Sequence, residues 1–217
     1  MNERFSRQAD IVPRARILEC NATVIGVGAI GRQVALQLTS IGVPSIQIID
    51  HDTVEESNLT SQGYFEDDIG RFKVDATADI CRQINPKLEL HTISDRFKRS
   101  TSIGNCVFIC VDSIVTRRHI WDALKDKVNF FCDGRMSAEV LRVVTACDEE
   151  SRKYYLQTLF NAEQAQAGPC TAKTTIYCAN IAAGFMLAQF TKYLRLLPVD
   201  SDIQVNLLAY EINVGKC

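Results

Sequence analysis

The segment of residues 23–52 constrains the fold more than any other part of this chain. It contains an apolar run rich in β-branched residues, the turn Gly26-x-Gly28-x-x-Gly31, a helical pattern and a second apolar run that ends at Asp50. The apolar residues at helical spacing are Ile30, Val34, Leu38 and Ile41. A strand, a turn, a helix and a strand in this order form a βαβ unit, so the sequence predicts an α/β fold with parallel strands.

The glycine turn in this unit is suited to bind a nucleotide. The free N–H groups at the start of the helix, together with its positive dipole end, would point at an anion. Glycine permits the tight turn and the close approach of the backbone to a phosphate. Asp50, which follows about 20 residues later, can accept hydrogen bonds from ribose hydroxyls. A purely structural turn is the alternative, and these residues do not distinguish a dinucleotide from ATP.

The composition argues against several classes of protein. The 217 residues carry a net charge of −2, so there is no electrostatic case for binding nucleic acid or an anionic membrane. No apolar run approaches the roughly 20 residues of a membrane span, and the polar N-terminus predicts neither a secretory signal nor an anchor. The nine cysteines include no Cys-x-x-Cys pair and there are three histidines. We therefore expect no disulfide framework, no zinc site and a reducing cytoplasmic location.

The rest of the chain extends the predicted sheet. We expect helices over residues 70–85, 114–125 and 174–197, and strands over residues 88–93, 105–112, 128–133, 138–147 and 205–214. The connection before residue 138 has no room for a crossover helix, so the sheet is predicted to finish with antiparallel strands. Polar residues 51–62 and 149–173 are predicted loops. The predicted fold is a Rossmann-like, doubly wound, mainly parallel sheet in a single domain.

Several segments together resemble a known family. They are Arg4-Phe5-Ser6-Arg7-Gln8, Val27-Gly28-Ala29-Ile30-Gly31, Ile49-Asp50-His51-Asp52-Thr53-Val54-Glu55-Glu56-Ser57-Asn58-Leu59, Gly70-Arg71-Phe72-Lys73-Val74, Ile84-Asn85-Pro86, Val111-Asp112-Ser113 and a cysteine at position 170. In this order they resemble the ThiF/MoeB and ubiquitin-activating-enzyme family of adenylating enzymes. The resemblance spans nearly the whole chain, from an N-terminal arm over residues 1–20 to a long crossover loop over residues 149–173. The Asp-x-Asp-x-Val-x-x-x-Asn-Leu segment is far more specific than the glycine turn.

The resemblance implies an adenylyltransferase that uses ATP and Mg²⁺ to activate the C-terminal glycine of a ubiquitin-like or sulfur-carrier protein. The nucleotide would lie on Gly26, Gly28, Ala29, Ile30 and Gly31. Such a reaction builds negative charge around the phosphates, so cations must lie there.

The resemblance also assigns roles to individual side chains. Asp50 would hold the ribose, and Asp52 and Asn58 would line the nucleotide site. Lys73 would reach the phosphates, and Asp112 would hold Mg²⁺ or position the reacting groups.

Three of these residues have structural alternatives, and Arg7 is the first. By resemblance, Arg7 would reach the phosphates of a neighbouring subunit in a homodimer, whereas from charge alone residues 1–20 read as a solvated basic arm. Lys73 could be a solvated helix charge. Asp112 could be a helix N-cap, because an acid between a strand and a helix caps well.

Cys170 is the cysteine whose surroundings suggest reactivity. It follows Gly168-Pro169, precedes the last long helix and lies close to Lys173. A cationic neighbour and a helix N-terminus lower the pKa of a thiol. The resemblance implies that such a cysteine forms a thioester or persulfide-type link to the carrier protein in some members. A loop cysteine without chemistry is the alternative.

Two departures from the family pattern separate this chain from typical members. Family members carry an arginine three residues after the Asn of Asn-Leu, where this chain has Ser61, so a phosphate contact is missing or comes from Arg71 or Arg32. The Cys-x-x-Cys zinc site of many members is also absent.

Two other functions stay open. One is an NAD-dependent oxidoreductase, for which the glycine turn and Asp50 would suffice. The other is a catalytically silent relative that binds partners.

Overall fold

A computed structural model of the chain describes residues 3–159 and 174–215. Its strands form one eight-stranded sheet in the order β3-β2-β1-β4-β5-β6-β7-β8. The first five strands in this order form four parallel pairs, and the strands from β5 to β8 form three antiparallel pairs. The strands are β1 Asn21–Ile25, β2 Ser45–Ile49, β3 Glu89–Ile93, β4 Cys106–Ile109, β5 Phe130–Ser137, β6 Val140–Ala146, β7 Asp202–Asn206 and β8 Glu211–Gly215. The prediction of a mainly parallel sheet with antiparallel C-terminal strands is confirmed.

Helices cover both faces of this sheet. They are α1 Arg14–Ile17, α2 Ala29–Ile41, α3 Glu56–Gln62, α4 Lys73–Ile84, α5 Ile114–Leu124, α6 Glu149–Gln157 and α7 Ile176–Leu194, with short 3₁₀ helices at Glu3–Gln8 and Glu66–Asp68. Helices α2, α4 and α7 share one apolar core with the sheet, and α5 and α6 share the other. Each helix buries its apolar side, which supplies most of its stability.

The central strands contribute alternate side chains to the two cores. Val24 and Phe108 pack on the side of α2 and α7, whereas Ile25 and Ile109 pack on the side of α5. Side chains of a strand alternate between faces, so a strand covered on both faces must be apolar throughout. This requirement is why β1 and β4 read as continuous apolar runs in the sequence.

Three predicted elements were wrong in detail. Part of the predicted loop 51–62 is helix α3, and the first part of the predicted loop 149–173 is helix α6, whose N-cap Asp148 accepts a hydrogen bond from the Ser151 N–H at 2.8 Å. The predicted strand 205–214 is a hairpin of β7 and β8, with Tyr210 at a positive φ of 55° in the turn. Helices this short offer too few periodic positions to be recognised, and the turn contains no glycine to mark it.

The N-terminal arm folds onto the rest of the chain instead of extending into solvent. The Gln8 amide donates to the Ile41 carbonyl at 2.8 Å, and the Arg14 guanidinium donates to the Gly42 carbonyl at 2.9 Å while stacking on Phe5. These contacts satisfy carbonyls at the end of α2, and the Arg14 contact places a cation at its negative dipole end. The solvated arm is therefore a wrong prediction for the segment containing these residues.

Within residues 3–159 and 174–215, every helix is too short or too polar to cross a bilayer.

Candidate functional site

The site lies at the carboxyl edge of the parallel strands. Ile25 at the end of β1 pairs with Ile49 of β2 and with Ile109 of β4, so the segments that follow these three residues leave the sheet side by side. In open α/β sheets, ligands bind in the crevice outside this edge. The glycine turn and Asp50 follow their strands directly, and Asp112 lies three residues after the end of β4.

The glycine turn is sterically restricted at two positions and open at the third. Gly26 has a φ of +86°, and a Cβ on Gly31 would lie 1.8 Å from the Gly26 carbonyl oxygen. A side chain on Gly31 would break the packing of α2 on the sheet, and one on Gly26 would meet the Cys110 carbonyl oxygen at 2.8 Å. A Cβ on Gly28 would meet nothing closer than the Gln62 side chain at 3.7 Å. The surface at Gly28, the N-cap of α2, is therefore open for a ligand to approach.

Asp50 holds the turn in place. One of its carboxylate oxygens accepts from the Val27 N–H at 2.7 Å and the other accepts from the Asp52 N–H at 2.9 Å. A carboxylate has about four acceptor positions, so two stay available for hydroxyl donors. The Tyr64 hydroxyl donates to the Val27 carbonyl at 2.6 Å on the opposite side, and burial raises the pKa of Tyr64 well above its ordinary value. The turn is thus fixed by side chains before any ligand binds.

Lys73 and Asp52 form an ion pair beside the turn. The Lys73 ammonium donates to Asp52 at 3.1 Å, and the backbone N–H of Lys73 donates to the Asp52 carbonyl at 2.9 Å. Lys73 is only 7% exposed, whereas the Asp52 side chain is 50% exposed. The solvated-lysine alternative is therefore wrong. Because α4 begins at Lys73, its first turn adds a positive dipole end at the same place.

These residues line a polar cleft of about 290 Å³. Its walls are His51, Asp52, Thr53, Glu55, Asn58 and Lys73. The carboxamide oxygen of Asn58 accepts from the Glu55 N–H at 3.0 Å, which ties the start of α3 to the wall. Of the predicted binding residues, the structure brings Asp52, Asn58 and Lys73 together in this cleft. Asp50 adjoins the cleft, and the glycine turn lies at the same sheet edge.

His51 is a cleft residue that the sequence predictions missed. It lies between two carboxylates, with ring nitrogens 3.9 Å from Asp50 and 3.3 Å from Asp52. Oxygen and nitrogen ligand atoms of these three residues lie within 4.8 Å of one another. The run Asp50-His51-Asp52 after an apolar strand was the signal that could have identified it.

Asp112 follows β4 and is exposed. The adjacent Ser113 caps α5, because its hydroxyl oxygen accepts from the Thr116 N–H at 3.3 Å. The alternative that Asp112 is the helix cap is therefore wrong. In the part of the chain that the structure describes, no bond reaches the Asp112 carboxylate, while its carbonyl accepts from Arg117 at 3.0 Å. The carboxylate is thus free to bind a ligand or cation.

A buried ion network lies beneath this edge and was not predicted. Asp133 is fully buried and accepts from Arg117 at 2.9 Å, from Arg135 at 2.8 Å and from the Tyr155 hydroxyl at 2.9 Å. Burial by itself raises the pKa of Asp133, but the two guanidinium groups hold that pKa below its ordinary value. Arg117 also donates to the carbonyls of Asp112 and Gly134, so the network fixes the backbone at the end of β4.

Arg7 is a predicted site residue that lies apart from the cleft of its own chain. Arg7 is exposed and belongs to the arm on the C-terminal end of α2, whereas the glycine turn lies at its N-terminal end. Thirteen helical residues separate the two ends, which corresponds to about 20 Å. Cys170 lies outside the described residues.

Fold and site define a doubly wound α/β domain with a glycine turn and a polar cleft, which contains the Lys73 ammonium, at the carboxyl edge of its parallel strands. Residues 5–213 match the model of the ThiF family, and the chain belongs to this family. The sulfur carrier protein ThiS adenylyltransferase of Escherichia coli (strain K12) is 31% identical over 128 residues, which cover 54% of this chain and 51% of that protein. Ubiquitin-like modifier-activating enzyme 5 of Caenorhabditis elegans is 27% identical over 216 residues, which cover 82% of this chain and 48% of that protein.

Solved structures share the fold at lower identity. The crystal structure of Escherichia coli MccB with MccA has a TM-score of 0.77 at 17% identity, covering 100% of this chain and 72% of that one. The crystal structure of PaaA has a TM-score of 0.76 at 19% identity, and the match covers 99% of this chain and 72% of that one. The chain spans about half or less of the length of the first curated relatives it matches.

Proposed function

We propose that this chain is an ATP-dependent adenylyltransferase that activates the C-terminal glycine carboxylate of a ubiquitin-like or sulfur-carrier protein. The observation that carries the proposal is the buried Lys73 ammonium, held by Asp52 in a polar cleft beside the glycine turn. A desolvated cation next to two helix N-termini suits a polyphosphate. Membership of the ThiF family and a relative named as the adenylyltransferase of ThiS support the same reaction.

The proposed reaction is attack of a carrier carboxylate oxygen on the α-phosphorus of ATP. The new bond joins the carboxylate to the α-phosphorus, the bond to the β,γ-pyrophosphate breaks, and an acyl-adenylate results. Negative charge grows on the phosphate oxygens during this displacement. Lys73 and the N–H groups at the start of α2 stabilise that charge, and a preorganised contact of this kind contributes most where water is excluded. Asp50 orients the nucleotide through the ribose hydroxyls.

The side chains fit Mg²⁺ as well. Mg²⁺ is bound in proteins by one or two carboxylates together with substrate phosphates, and the exposed Asp112 carboxylate after β4 would be such a ligand. Mg²⁺ held there would supply positive charge that neutralises the triphosphate. Arg117 keeps the Asp112 backbone fixed, so the carboxylate is presented from a rigid strand end.

Two further parts of the proposal concern the partners. We propose a homodimer in which Arg7 of each subunit reaches the phosphates bound by the other, because Arg7 is exposed and far from the cleft of its own chain. We also propose that the Cys170 thiolate attacks the acyl carbonyl of the adenylate, so that a thioester forms and AMP leaves. That step rests on the sequence around Cys170. The 217 residues would act as one adenylation domain in the cytoplasm.

Exchange of labelled pyrophosphate into ATP tests the proposal. We expect exchange that requires both Mg²⁺ and a carrier protein ending in Gly-Gly. Asp112→Ala should abolish most of it, whereas Asp122→Ala, which removes an exposed carboxylate from the last turn of α5, should leave it unchanged. Binding of NADH without binding of ATP would favour the oxidoreductase instead. Absence of both exchange and ATP binding would favour the silent relative.

A further inference from the structure

Arg32 in the first turns of α2 is a buried cation whose Nε–H has no acceptor among the described residues. It is 4% exposed, and its Nε–H donates to no residue in the ranges 3–159 and 174–215. Burial lowers the pKa of this guanidinium below its ordinary value. Arg117, the other arginine at a similar depth, donates to one carboxylate and two carbonyls. A buried donor without a partner raises the free energy of the folded chain, so a ligand that offers an acceptor to Arg32 would be bound favourably.

Aromatic contacts hold the guanidinium in place without satisfying its N–H groups. The group lies over the Tyr64 ring at 4.7 Å and over the Phe65 ring at 5.8 Å. Such stacking uses the faces of the planar guanidinium and leaves the N–H donors, which lie in its plane, for another ligand. The Tyr64 hydroxyl donates to the Val27 carbonyl, so this aromatic platform is attached to the glycine turn.

Arg32 and the residues around it lie close to the glycine turn. Side chains of a helix lean towards its N-terminus, and Arg32 is the fourth residue of α2. One terminal nitrogen of Arg32 lies 3.4 Å from the point where a Cβ on Gly63 would be. The neighbouring Gln62 lies against Gly28, and its carboxamide oxygen is a second buried atom that has no partner in the part of the chain that the structure describes. Two unsatisfied polar groups therefore flank the helix N-terminus.

The other nearby cations are already paired. Arg71 is 42% exposed and binds Asp68 and Asp79, and Lys73 binds Asp52. At position 61, where the family resemblance implies an arginine, the Ser61 hydroxyl donates to the Ser57 carbonyl. We propose that Arg32 binds the phosphates of ATP and supplies, from helix α2, the positive charge that position 61 lacks. This inference rests on the proposed adenylation function.

Calorimetric titration of the full chain with Mg·ATP and with adenosine tests the inference. We expect Arg32→Met to raise the Kd of ATP by about tenfold or more, because charge-assisted hydrogen bonds are lost. The Kd of adenosine should stay within about twofold, because adenosine has no phosphates. Thermal unfolding of Arg32→Met should occur at the same or a higher temperature, since an unsatisfied buried charge has been removed.

Two variants complete the experiment. Arg71→Met removes the same charge from a nearby arginine that is already paired, and it should leave the Kd of ATP unchanged. Arg32→Lys keeps the charge but loses the planar fork, so it should weaken ATP binding several-fold. If Arg32→Met does not fold, the Kd of ATP measured with Arg32→Lys provides the test instead.

Three outcomes would count against the inference. ATP binding that is unaffected in both Arg32 variants overturns it, and so does an equal loss of ATP and adenosine binding, which would indicate a structural role. Failure of the unaltered chain to bind ATP would contradict the proposed function itself.

Discussion

Lys73→Met is expected to lower the rate of pyrophosphate exchange by about 10²- to 10³-fold, the usual cost of removing one preorganised charge from a transition state. Methionine keeps the buried aliphatic part of the side chain and removes only the ammonium group. Its partner Asp52 is half exposed and can be hydrated by water, so the free energy of unfolding should fall by only about 1 kcal/mol or less. A pyrophosphate-exchange assay measures the change in rate, and urea unfolding measures the change in the free energy of unfolding.

A matched lysine distinguishes the local effect from a general loss of charge. Lys87 is exposed and follows the C-terminal end of α4, whereas Lys73 begins that helix. Lys87→Met should leave the exchange rate unchanged. If Lys73→Met retained full activity, or if both variants lost activity equally, Lys73 would have no part in phosphate binding.

Asp133→Asn is expected to lower the free energy of unfolding by about 3–5 kcal/mol, because it removes the countercharge of a buried ion network. Arg117 and Arg135 both donate to the Asp133 carboxylate, and the Tyr155 hydroxyl donates to it as well. A neutral carboxamide cannot compensate two guanidinium groups at this depth. Chemical unfolding at pH 7 measures the loss.

The difference in stability between the unaltered chain and Asp133→Asn is expected to depend on pH. The pKa of Asp133 is lowered in the folded chain by Arg117 and Arg135, against the opposing effect of burial. A lowered pKa contributes stability above the unfolded-state value near 4, and this contribution is lost as the pH falls through the folded-state pKa. The difference in stability between the unaltered chain and Asp133→Asn should therefore narrow below about pH 4.

Asp202 provides a matched control for Asp133. It also accepts hydrogen bonds from an arginine and a tyrosine, at 2.9 and 2.8 Å from Arg142 and 2.7 Å from Tyr154. However, the Arg142 side chain is 29% exposed, so water can solvate its guanidinium when the partner is lost. Asp202→Asn should cost about 1–2 kcal/mol. Equal losses for the two aspartates would show that burial of the arginines does not decide the effect.

The main elements of the fold could be predicted because their patterns are local. The apolar runs of β1 and β4 reflect burial on both faces, and the short connection from β5 to β6 leaves only an antiparallel pairing. The hairpin of β7 and β8 was missed because its turn places Tyr210, not glycine, at positive φ. That conformation is stabilised by the strand pairing on either side, which no local pattern records.

The site was predictable to the extent that it follows from strand order. Asp50 and Asp112 end apolar runs, so their position at the carboxyl edge could be derived from the parallel arrangement alone. Lys73 begins a predicted helix, but its burial and its bond to Asp52 depend on how α4 packs against the loop after β2. Arg32 and Arg117 are both helix arginines in the sequence, and nothing local distinguishes them.

The sequence by itself determined the α/β class, the glycine turn and the acids that follow the strands, because each depends on residues within a few positions of one another. Only the tertiary structure decided which charges are compensated. Arg117 meets Asp133 across a helix–strand contact, whereas Arg32 meets aromatic rings and no acceptor in the described part of the chain. Burial and hydrogen bonding are set by segments distant in sequence, and at low dielectric they decide whether a charge stabilises the fold or is left to bind a ligand.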